Sequence, residues 1–182
     1  VSRTRVGSPF VIAGKAEALG RGKRCVIGFE ANGGVLTGNP ISSGSAELAA
    51  LPTRDSVLPI LCAFAAARQA GQPLSAHVAA LSLPVAASDR IENFPTEQSQ
   101  ALVARLSQDG MAQQDFFEPF GQVSRVDLTD GLRVFLDTGD IVHLRPSGNA
   151  PEMRVYSEAA TEPLAQALIA KAFTRIKQVA TP

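Results

Sequence analysis

The chain carries the stretch RPSGNAPEMR at residues 145–154, between two apolar runs that have the pattern of strands. The stretch combines two arginines with a serine hydroxyl, an asparagine amide and a glycine turn. Guanidinium groups present forked donors that match phosphate oxygens two at a time, and backbone N–H groups in a glycine-containing turn can converge on one anion. Pro146 and Pro151 stiffen the loop and so reduce the entropy lost on binding. The stretch therefore predicts a phosphate-binding loop.

The same stretch also fits a second interpretation, a hairpin turn at the surface whose two arginines are solvated. The charge of the chain does not favour either one. Its 17 basic and 17 acidic residues cancel, so there is no overall field that would attract nucleic acid or an anionic membrane. An anion site in this chain must therefore be local.

The composition is that of a globular chain of one or two domains. The 182 residues are 45% hydrophobic and 19% charged, which is enough to bury a core. No stretch approaches the roughly 20 apolar residues that span a bilayer, and the start at Val1 has no signal-peptide pattern. We therefore expect a cytoplasmic protein with no membrane segment and no nucleic-acid partner.

The two cysteines, Cys25 and Cys62, lie in apolar runs. There cysteine usually acts as a small hydrophobic residue in a reducing compartment, and a disulfide between the two is the less favoured alternative. Neither has further Cys or His residues at the spacing of a zinc site. We expect no metal ligand among them.

The first part of the chain alternates short strands with helices. Its predicted elements are a buried strand at 24–29, the loop EANGG at 30–34, a strand at 35–38, a loop at 39–45, and helices at 56–70 and 73–81. Asp55 or Ser56 is expected to cap the first helix, and the spacing of its apolar residues is typical of a well-buried helix. A loop that follows a buried strand is a usual place for a ligand site.

The chain changes character near residues 86–95, and its second part predicts a sheet between two helices. The predicted elements are a strand at 88–94, a helix at 99–107 capped by Thr96, strands at 123–128, 132–137, 141–144 and 153–157, and a final helix capped by Thr161. This order indicates a small α+β sandwich with the 145–154 loop at one end of its sheet. We therefore divide the chain into residues 1–86 and 87–182.

Two loops of this chain resemble functional loops of one enzyme family. Residues 145–156 resemble the C-terminal phosphate-binding loop of the α-D-phosphohexomutases, the family of phosphomannomutases and phosphoglucomutases. The loop GFEANGG at 28–34 is similar to the sugar-specificity loop of that family's third domain. The segments at 4–7 and 53–56 resemble those that flank it. Two loops in the right order are more specific than either alone.

The chain departs from the family pattern in both loops. Asn149 and Ala150 stand where a threonine and an acidic residue are common, and Asn32 and Gly34 stand where some members carry serine and histidine. Asn149 can still donate and accept hydrogen bonds, so phosphate binding is still expected. The sugar loop does not assign one hexose.

The resemblance implies that the chain is the C-terminal part of a longer enzyme. Members have four domains, with a phosphoserine loop in the first and an Asp-rich magnesium loop in the second. Neither pattern occurs here, and residues 137–140 are too short to replace the magnesium loop. Residues 1–86 would be most of the third domain, a mixed α/β layer. Residues 87–182 would be the whole fourth domain, with a TATA-binding-protein-like α+β fold that does not itself imply DNA binding.

The resemblance also implies a reaction in two halves. A phosphoserine gives its phosphoryl group to a hexose phosphate, which becomes hexose 1,6-bisphosphate, the intermediate and activator of the reaction. This intermediate turns around in the site, and its other phosphate returns to the serine. The Mg²⁺ of the reaction would be bound outside this chain. The implied phosphate-binding residues are Arg145, Ser147, Gly148, Asn149 and Arg154, and the implied sugar-binding residues are Glu30 and Asn32. No catalytic residue and no metal ligand is expected in this chain. Without the missing N-terminal domains it should be inactive.

Three of these side chains have other interpretations. Glu30 fits a general base, although no carboxylate or histidine lies near it in sequence, or an exposed loop carboxylate. His77 and His143 lie in a predicted helix and a predicted strand, where histidine is more often structural than catalytic.

Two classes of function follow from these residues. The favoured one is the C-terminal part of a phosphomannomutase or phosphoglucomutase, an isomerase that interconverts hexose 1-phosphate and hexose 6-phosphate. In it, this chain binds the sugar hydroxyls and the non-reacting phosphate. The alternative is a stand-alone, non-catalytic module that binds sugar phosphates. The sequence upstream of Val1 discriminates between them, because a serine loop and an Asp-rich metal loop there would indicate the mutase.

Overall fold

The computed structural model describes residues 1–180, which form two compact units. The first unit is Val1–Ser82, and the second begins at Leu83. Residues 85–87 pair with residues 157–159 in the sheet of the second unit, so they belong with it rather than with the first. For this reason the boundary falls a few residues before the division at 86 that the sequence suggested.

The first unit consists of helices and two short hairpins. Its elements are α1 (Ser8–Gly20), β1 (Ile27–Phe29), β2 (Val35–Thr37), β3 (Ile41–Ser43), β4 (Ala46–Leu48), α2 (Val57–Gln69) and α3 (Leu74–Ala79). The strands pair in sequence order, β1 with β2 and β3 with β4, both antiparallel. Residues 30–34 are therefore the connection within the β1–β2 hairpin.

Several predictions for this unit are confirmed. The strand β2 and the helices α2 and α3 lie where the sequence placed them. Asp55 caps α2, because its Oδ1 accepts hydrogen bonds from the backbone N–H groups of Val57 at 2.8 Å and Leu58 at 2.7 Å. Cys25 and Cys62 are both free, as the favoured interpretation expected.

Other predictions for this unit are wrong. The strand predicted at 24–29 is limited to β1, and the loop predicted at 39–45 contains β3 and the turn into β4, whose serines and glycine read as a loop. Helix α1 was not predicted, since its apolar residues are spread around the helix and give no periodic face. The burial expected for α2 is also wrong. Leu61, Phe64, Cys25 and Cys62 are exposed.

The second unit is a five-stranded sheet with helices. Its elements are β5 (Val85–Glu92), α4 (Thr96–Gln108), α5 (Gly110–Phe117), a 3-10 turn (Glu118–Phe120), β6 (Val123–Asp127), β7 (Leu132–Leu136), β8 (Ile141–Pro146), β9 (Glu152–Ala159) and α6 (Glu162–Ala180). The strand order is β5-β9-β8-β7-β6, and all neighbours are antiparallel. The predicted fold class, mixed α/β followed by a small α+β domain, is confirmed. Within residues 1–180, no helix combines the length and the apolar composition needed to cross a membrane.

Two details of the second unit differ from the sequence predictions. Helix α5 was not predicted from the sequence. In the structure Asp109 caps this helix, and its Oδ1 accepts from the N–H groups of Met111 and Ala112 at 3.0 Å. Thr96 was predicted to cap α4, but Pro95 occupies the cap position and Thr96 is the first helical residue.

The sheet of the second unit has one face that is buried under helices. Alternate residues of β7 and β9 are buried, and α4 and α6 pack on this side. A hydrogen bond also joins β9 to α6, since Oγ of Ser157 donates to the carbonyl of Ala165 at 2.8 Å. Because side chains alternate along a strand, the residues in between project to the opposite face. We call this the polar face, and it carries Arg90, Arg133, His143, Arg145, Arg154, Tyr156 and Glu158.

The turn between β6 and β7 lies so close to β8 that only glycine fits at position 131. Gly131 has φ +83°, and a Cβ at this position would lie 2.4 Å from the carbonyl oxygen of Leu144. Gly139, in the turn between β7 and β8, has a similar φ of +88° but open space around it. A side chain at either position would therefore strain the backbone, but only at Gly131 would it also clash with a neighbouring strand.

We expect Gly131→Ala to destabilise the protein by at least about 3 kcal/mol, because it adds a clash with backbone to the strain. Gly139→Ala is the matched control, and it should cost on the order of 1 kcal/mol from its conformation alone. Urea unfolding followed by circular dichroism measures both. Equal losses in the two variants would contradict the close approach of this turn to β8.

Candidate functional site

The loop predicted to bind phosphate connects β8 to β9 at one end of the sheet. Across the two strands Arg145 pairs with Arg154, and Pro146 pairs with Met153. Residues directly opposite each other in an antiparallel pair project to the same face of the sheet. The structure therefore places both predicted arginines side by side on the polar face, next to the loop.

Arg145 is held by a carboxylate from the neighbouring turn. Its Nε donates to Oδ2 of Asp130 at 2.6 Å, and its side chain is only 14% exposed. Within residues 1–180, the hydrogen bond that Arg145 donates comes from Nε, and none comes from its terminal nitrogens. One edge of this guanidinium is thus fixed, and its two terminal nitrogens remain available to a ligand.

Arg154 is held more loosely. Its Nε and Nη2 both contact Oε2 of Glu152 at 3.2 Å, and Glu152 also lies 3.4 Å from Nε of Arg90. Arg90 is the partner of Arg154 across β5 and β9. Arg90, Arg154 and Arg145 therefore form a row of guanidinium groups across three strands.

Carboxylates balance this arginine row. The hydrogen bond from Arg90 to Glu92 and the charge of Glu152 raise the pKa of Arg90 above its ordinary value. Sequence analysis missed Arg90 and Glu152, because the positions that pair with Arg154 depend on strand register. An anion that binds Arg154 has to compete with Glu152.

The three remaining residues of the predicted phosphate site lie in the loop itself. Ser147 is 2% exposed, and its N–H donates to the carbonyl of Glu152 at 3.0 Å. Its hydroxyl is buried and has no hydrogen-bond partner within the part of the chain that the structure describes. Gly148 and Asn149 are exposed. Gly148 and Asn149 are therefore accessible from solvent, whereas the Ser147 hydroxyl is covered.

A shallow depression of about 750 Å³ adjoins Arg154. It lies along the edge strand β5, and Arg90, Arg154, Tyr156 and Lys177 are among its lining residues. Ligand sites commonly have volumes of roughly 300 to 1,000 Å³. The depression is large enough for a phosphorylated monosaccharide.

In the first unit, Glu30 begins the connection of the β1–β2 hairpin. Its carboxylate Oε2 accepts a hydrogen bond from the Ser8 hydroxyl at 2.8 Å and lies 3.8 Å from Nη1 of Arg54. The side chain is 7% exposed. The alternative of an exposed loop carboxylate is therefore wrong, and Glu30 is an oriented group with lone pairs still available to a hydroxyl donor.

Asn32 lies at the tip of the same hairpin and is exposed. Its Oδ1 accepts from the N–H of Gly34 at 3.0 Å, and the N–H of Gly33, with φ +86°, donates to the carbonyl of Glu30 at 3.0 Å. This hydrogen bond uses only the side-chain oxygen of Asn32, not its amide nitrogen. Asn32 can therefore offer an N–H donor to a ligand while its oxygen stabilises the loop.

The two histidines make contacts within their own units. His77 Nδ1 lies 3.1 Å from Nε2 of Gln72. His143 Nε2 contacts the backbone carbonyl of Asp130, and its ring packs against Tyr156 with centroids 5.4 Å apart. Burial lowers the pKa of His143 below its ordinary value of 6.5, and the nearby Arg133 and Arg145 act in the same direction. These contacts connect His143 to the turn that holds Arg145.

The side chains in the described range 1–180 do not fit a magnesium site. Among these residues, no three or more His, Cys, Asp or Glu side chains are grouped so that they could hold a metal ion. The arginines of the predicted phosphate site are cations and cannot serve as metal ligands. No step at this site can be assigned to a metal held by these residues.

Comparison with known proteins agrees with the predicted resemblance. Residues 83–175, just over half of the chain, match the family described as phosphoglucomutase/phosphomannomutase, C-terminal domain. The chain is 53% identical over 171 residues to a phosphomannomutase of Sinorhizobium fredii, covering 94% of this chain and 36% of that protein. It is 36% identical over 181 residues to a phosphomannomutase of Salmonella muenchen, covering 97% and 37%. The chain thus spans little more than a third of the length of these relatives.

A solved structure shows the same fold. A phosphoglucomutase/phosphomannomutase family protein from Burkholderia thailandensis aligns with 98% of this chain and 32% of its own chain, at a TM-score of 0.63 and 18% identity. At this identity the likeness concerns the fold alone.

The lowered pKa of His143 predicts that stability falls in mild acid. Between the folded-state pKa and about 6.5 the unfolded chain binds more protons, so the free energy of unfolding decreases as the pH drops through that window. The slope is at most about 1.4 kcal/mol for each pH unit. Urea unfolding at pH 5 to 8 measures it. The control His143→Gln should lack this part of the pH dependence, and equal curves for the two proteins would contradict the buried, neutral imidazole.

Proposed function

Because the chain belongs to the phosphoglucomutase/phosphomannomutase family, we propose that it forms the substrate-holding part of a phosphohexomutase. The enzyme would be an isomerase that interconverts hexose 1-phosphate and hexose 6-phosphate, and this chain would hold the phosphate that is not reacting. The observation that carries the proposal is the pairing of Arg145 with Arg154 on one face of the sheet, beside the loop at 147–151.

Both arginines would donate hydrogen bonds to the phosphate. Arg145 offers two terminal nitrogens from a side chain that Asp130 already orients. Arg154 would leave Glu152, whose contacts at 3.2 Å are long for a bond between ions, and donate to the phosphate instead. Gly148 and Asn149 would add backbone N–H donors, and a phosphate oxygen would give the Ser147 hydroxyl the partner it otherwise lacks.

Glu30 and Asn32 would bind hydroxyl groups of the sugar. The Glu30 carboxylate can accept from a hydroxyl, and the Asn32 amide can donate to one. Glu30 is oriented by Ser8 and Arg54, so little entropy is lost when the sugar binds. The proposal covers mannose and glucose phosphates alike.

Residues that bind the non-reacting phosphate would affect the reaction at the other end of the sugar. Binding energy from a non-reacting phosphate fixes the reacting end of the sugar in line with its phosphoryl donor. We call the proposed site formed by Arg145, Arg154 and residues 147–149 the phosphate cradle. It could serve both orientations of a hexose 1,6-bisphosphate intermediate, because either end of the sugar places a phosphate in it. The phosphoserine and Mg²⁺ of the reaction would be supplied by other parts of the enzyme. This chain would bind and orient only.

A second candidate is a non-catalytic module that binds sugar phosphates. One observation favours it. Arg145, Arg154 and the loop all belong to the second unit, which has its own core, so the proposed phosphate site would use no residue of the first unit. A serine loop and an Asp-rich metal loop encoded upstream of Val1 would identify the enzyme, and a start codon just before Val1 would identify the module.

We expect the 182-residue chain to bind inorganic phosphate and glucose 6-phosphate, and Arg145→Ala or Arg154→Ala to weaken that binding. Each change removes a charge-assisted donor, and the loss should be on the order of ten- to a hundredfold in affinity. Isothermal titration calorimetry or ³¹P nuclear magnetic resonance measures the dissociation constants.

The matched control is Arg125→Ala. Arg125 belongs to the same sheet, but its guanidinium stacks on Phe135 at 3.6 Å, and Phe135 pairs with Ile141 at the end of β8 away from the loop. This variant should bind phosphate as the parent does. The proposal is wrong if both cradle variants keep the affinity of the parent, or if Arg125→Ala weakens binding as much as they do.

A further inference from the structure

The contact between Asp130 and Arg145 differs from the other carboxylate contacts in the arginine row. It is short, at 2.6 Å, and both side chains are largely buried. It also uses only Nε of the guanidinium. The contact of Glu152 with Arg154 is longer, at 3.2 Å, uses two nitrogens, and is shared with Arg90. Glu152 can therefore be displaced by an anion, whereas Asp130 leaves the anion-binding edge of Arg145 open.

The position of Asp130 is determined by several independent contacts. Its backbone carbonyl contacts His143 Nε2, and the next residue, Gly131, has no room for a side chain against the backbone of β8. The turn is closed on its other side by the N–H of Thr129, which donates to Oδ1 of Asp127 at 2.9 Å. A carboxylate that is held by its own turn can orient a longer and more flexible side chain.

We propose that Asp130 is a positioning residue for phosphate binding. Its carboxylate fixes Nε of Arg145 so that the two terminal nitrogens meet a phosphate held at residues 147–149. This inference rests on the proposed phosphate cradle and adds a residue that the sequence patterns did not identify. Without Asp130, the Arg145 side chain would lose rotational freedom about several bonds when phosphate binds. Because Asp130 already restricts these rotations, less conformational entropy is lost on binding.

The carboxylate has a second effect with the opposite sign. Its negative charge reduces the attraction of Arg145 for an anion, and this Coulomb contribution can be as large as the gain from orientation. A single substitution that removes both effects would be ambiguous. Two neutral substitutions resolve the problem, because Asp130→Asn keeps an oxygen acceptor at the same place and Asp130→Ala removes it. Both remove the charge, so the difference between them reports the hydrogen bond.

The experiment measures the affinity of the 182-residue chain for inorganic phosphate in these two variants. We expect Asp130→Ala to bind about tenfold more weakly than Asp130→Asn, the size expected for a hydrogen bond to a charged group. Asp140, in the turn at the other end of β8, is the matched control site. Asp140→Ala and Asp140→Asn should bind phosphate equally. Equal affinity of the two Asp130 variants would overturn the proposal.

A double-mutant cycle shows whether Asp130 acts through Arg145 or through the fold of the turn. In the Arg145→Ala background, Asp130→Ala and Asp130→Asn should bind equally, since the side chain to be positioned is gone. A tenfold difference that persisted in this background would show a general effect on the loop, and it too would overturn the proposal.

The Nε–H resonance of Arg145 gives a readout that does not require phosphate. It should be protected from solvent exchange in the parent and in Asp130→Asn, and should lose its protection in Asp130→Ala. If the parent chain binds no phosphate, the proposed function fails, and this resonance still decides whether Asp130 orients Arg145. Unchanged protection in Asp130→Ala would show that it does not.

Discussion

The register between β8 and β9 is the constraint on which the site depends. It places Arg145 opposite Arg154, and it is fixed by the alternate residues of β9, where Met153, Val155 and Ser157 are buried against the helices. A slip of one residue would move these side chains to the polar face and turn the arginines into the core. Burial of the apolar set and presentation of the cationic set are therefore two results of the same pairing.

Charge at the site is balanced before any ligand binds. Each arginine of the row across β5, β9 and β8 contacts a carboxylate, and the whole chain has a formal net charge of zero. Attraction over long distances is therefore weak, and recognition has to come from the geometry of a few donors at contact distance. The contacts differ in function. In the proposed site Asp130 would orient Arg145, and Glu152 would hold Arg154 until an anion replaced it.

The sequence predicted features whose signal is local. The strands of the five-stranded sheet follow from alternation and glycine turns. The loop with Arg145 and Arg154 follows from residue types that occur together in one short stretch. The contact of Asp130 with Arg145 and the row that Arg90 extends depend on strand register, which no local pattern specifies. The exposure of Phe64 on α2 was missed for a related reason, since apolar spacing predicts an apolar face but not the layer that covers it.

The most direct test is a crystal structure of the 182-residue chain grown with a hexose 6-phosphate well above its dissociation constant. The account predicts that the phosphate lies between Arg145 and Arg154, with nitrogen–oxygen distances of about 2.7 to 2.9 Å to both guanidinium groups. It also predicts that Arg145 keeps its bond to Asp130 while Arg154 leaves Glu152. A phosphate bound at another site, or a cradle that stays empty with Arg154 still on Glu152, would contradict it.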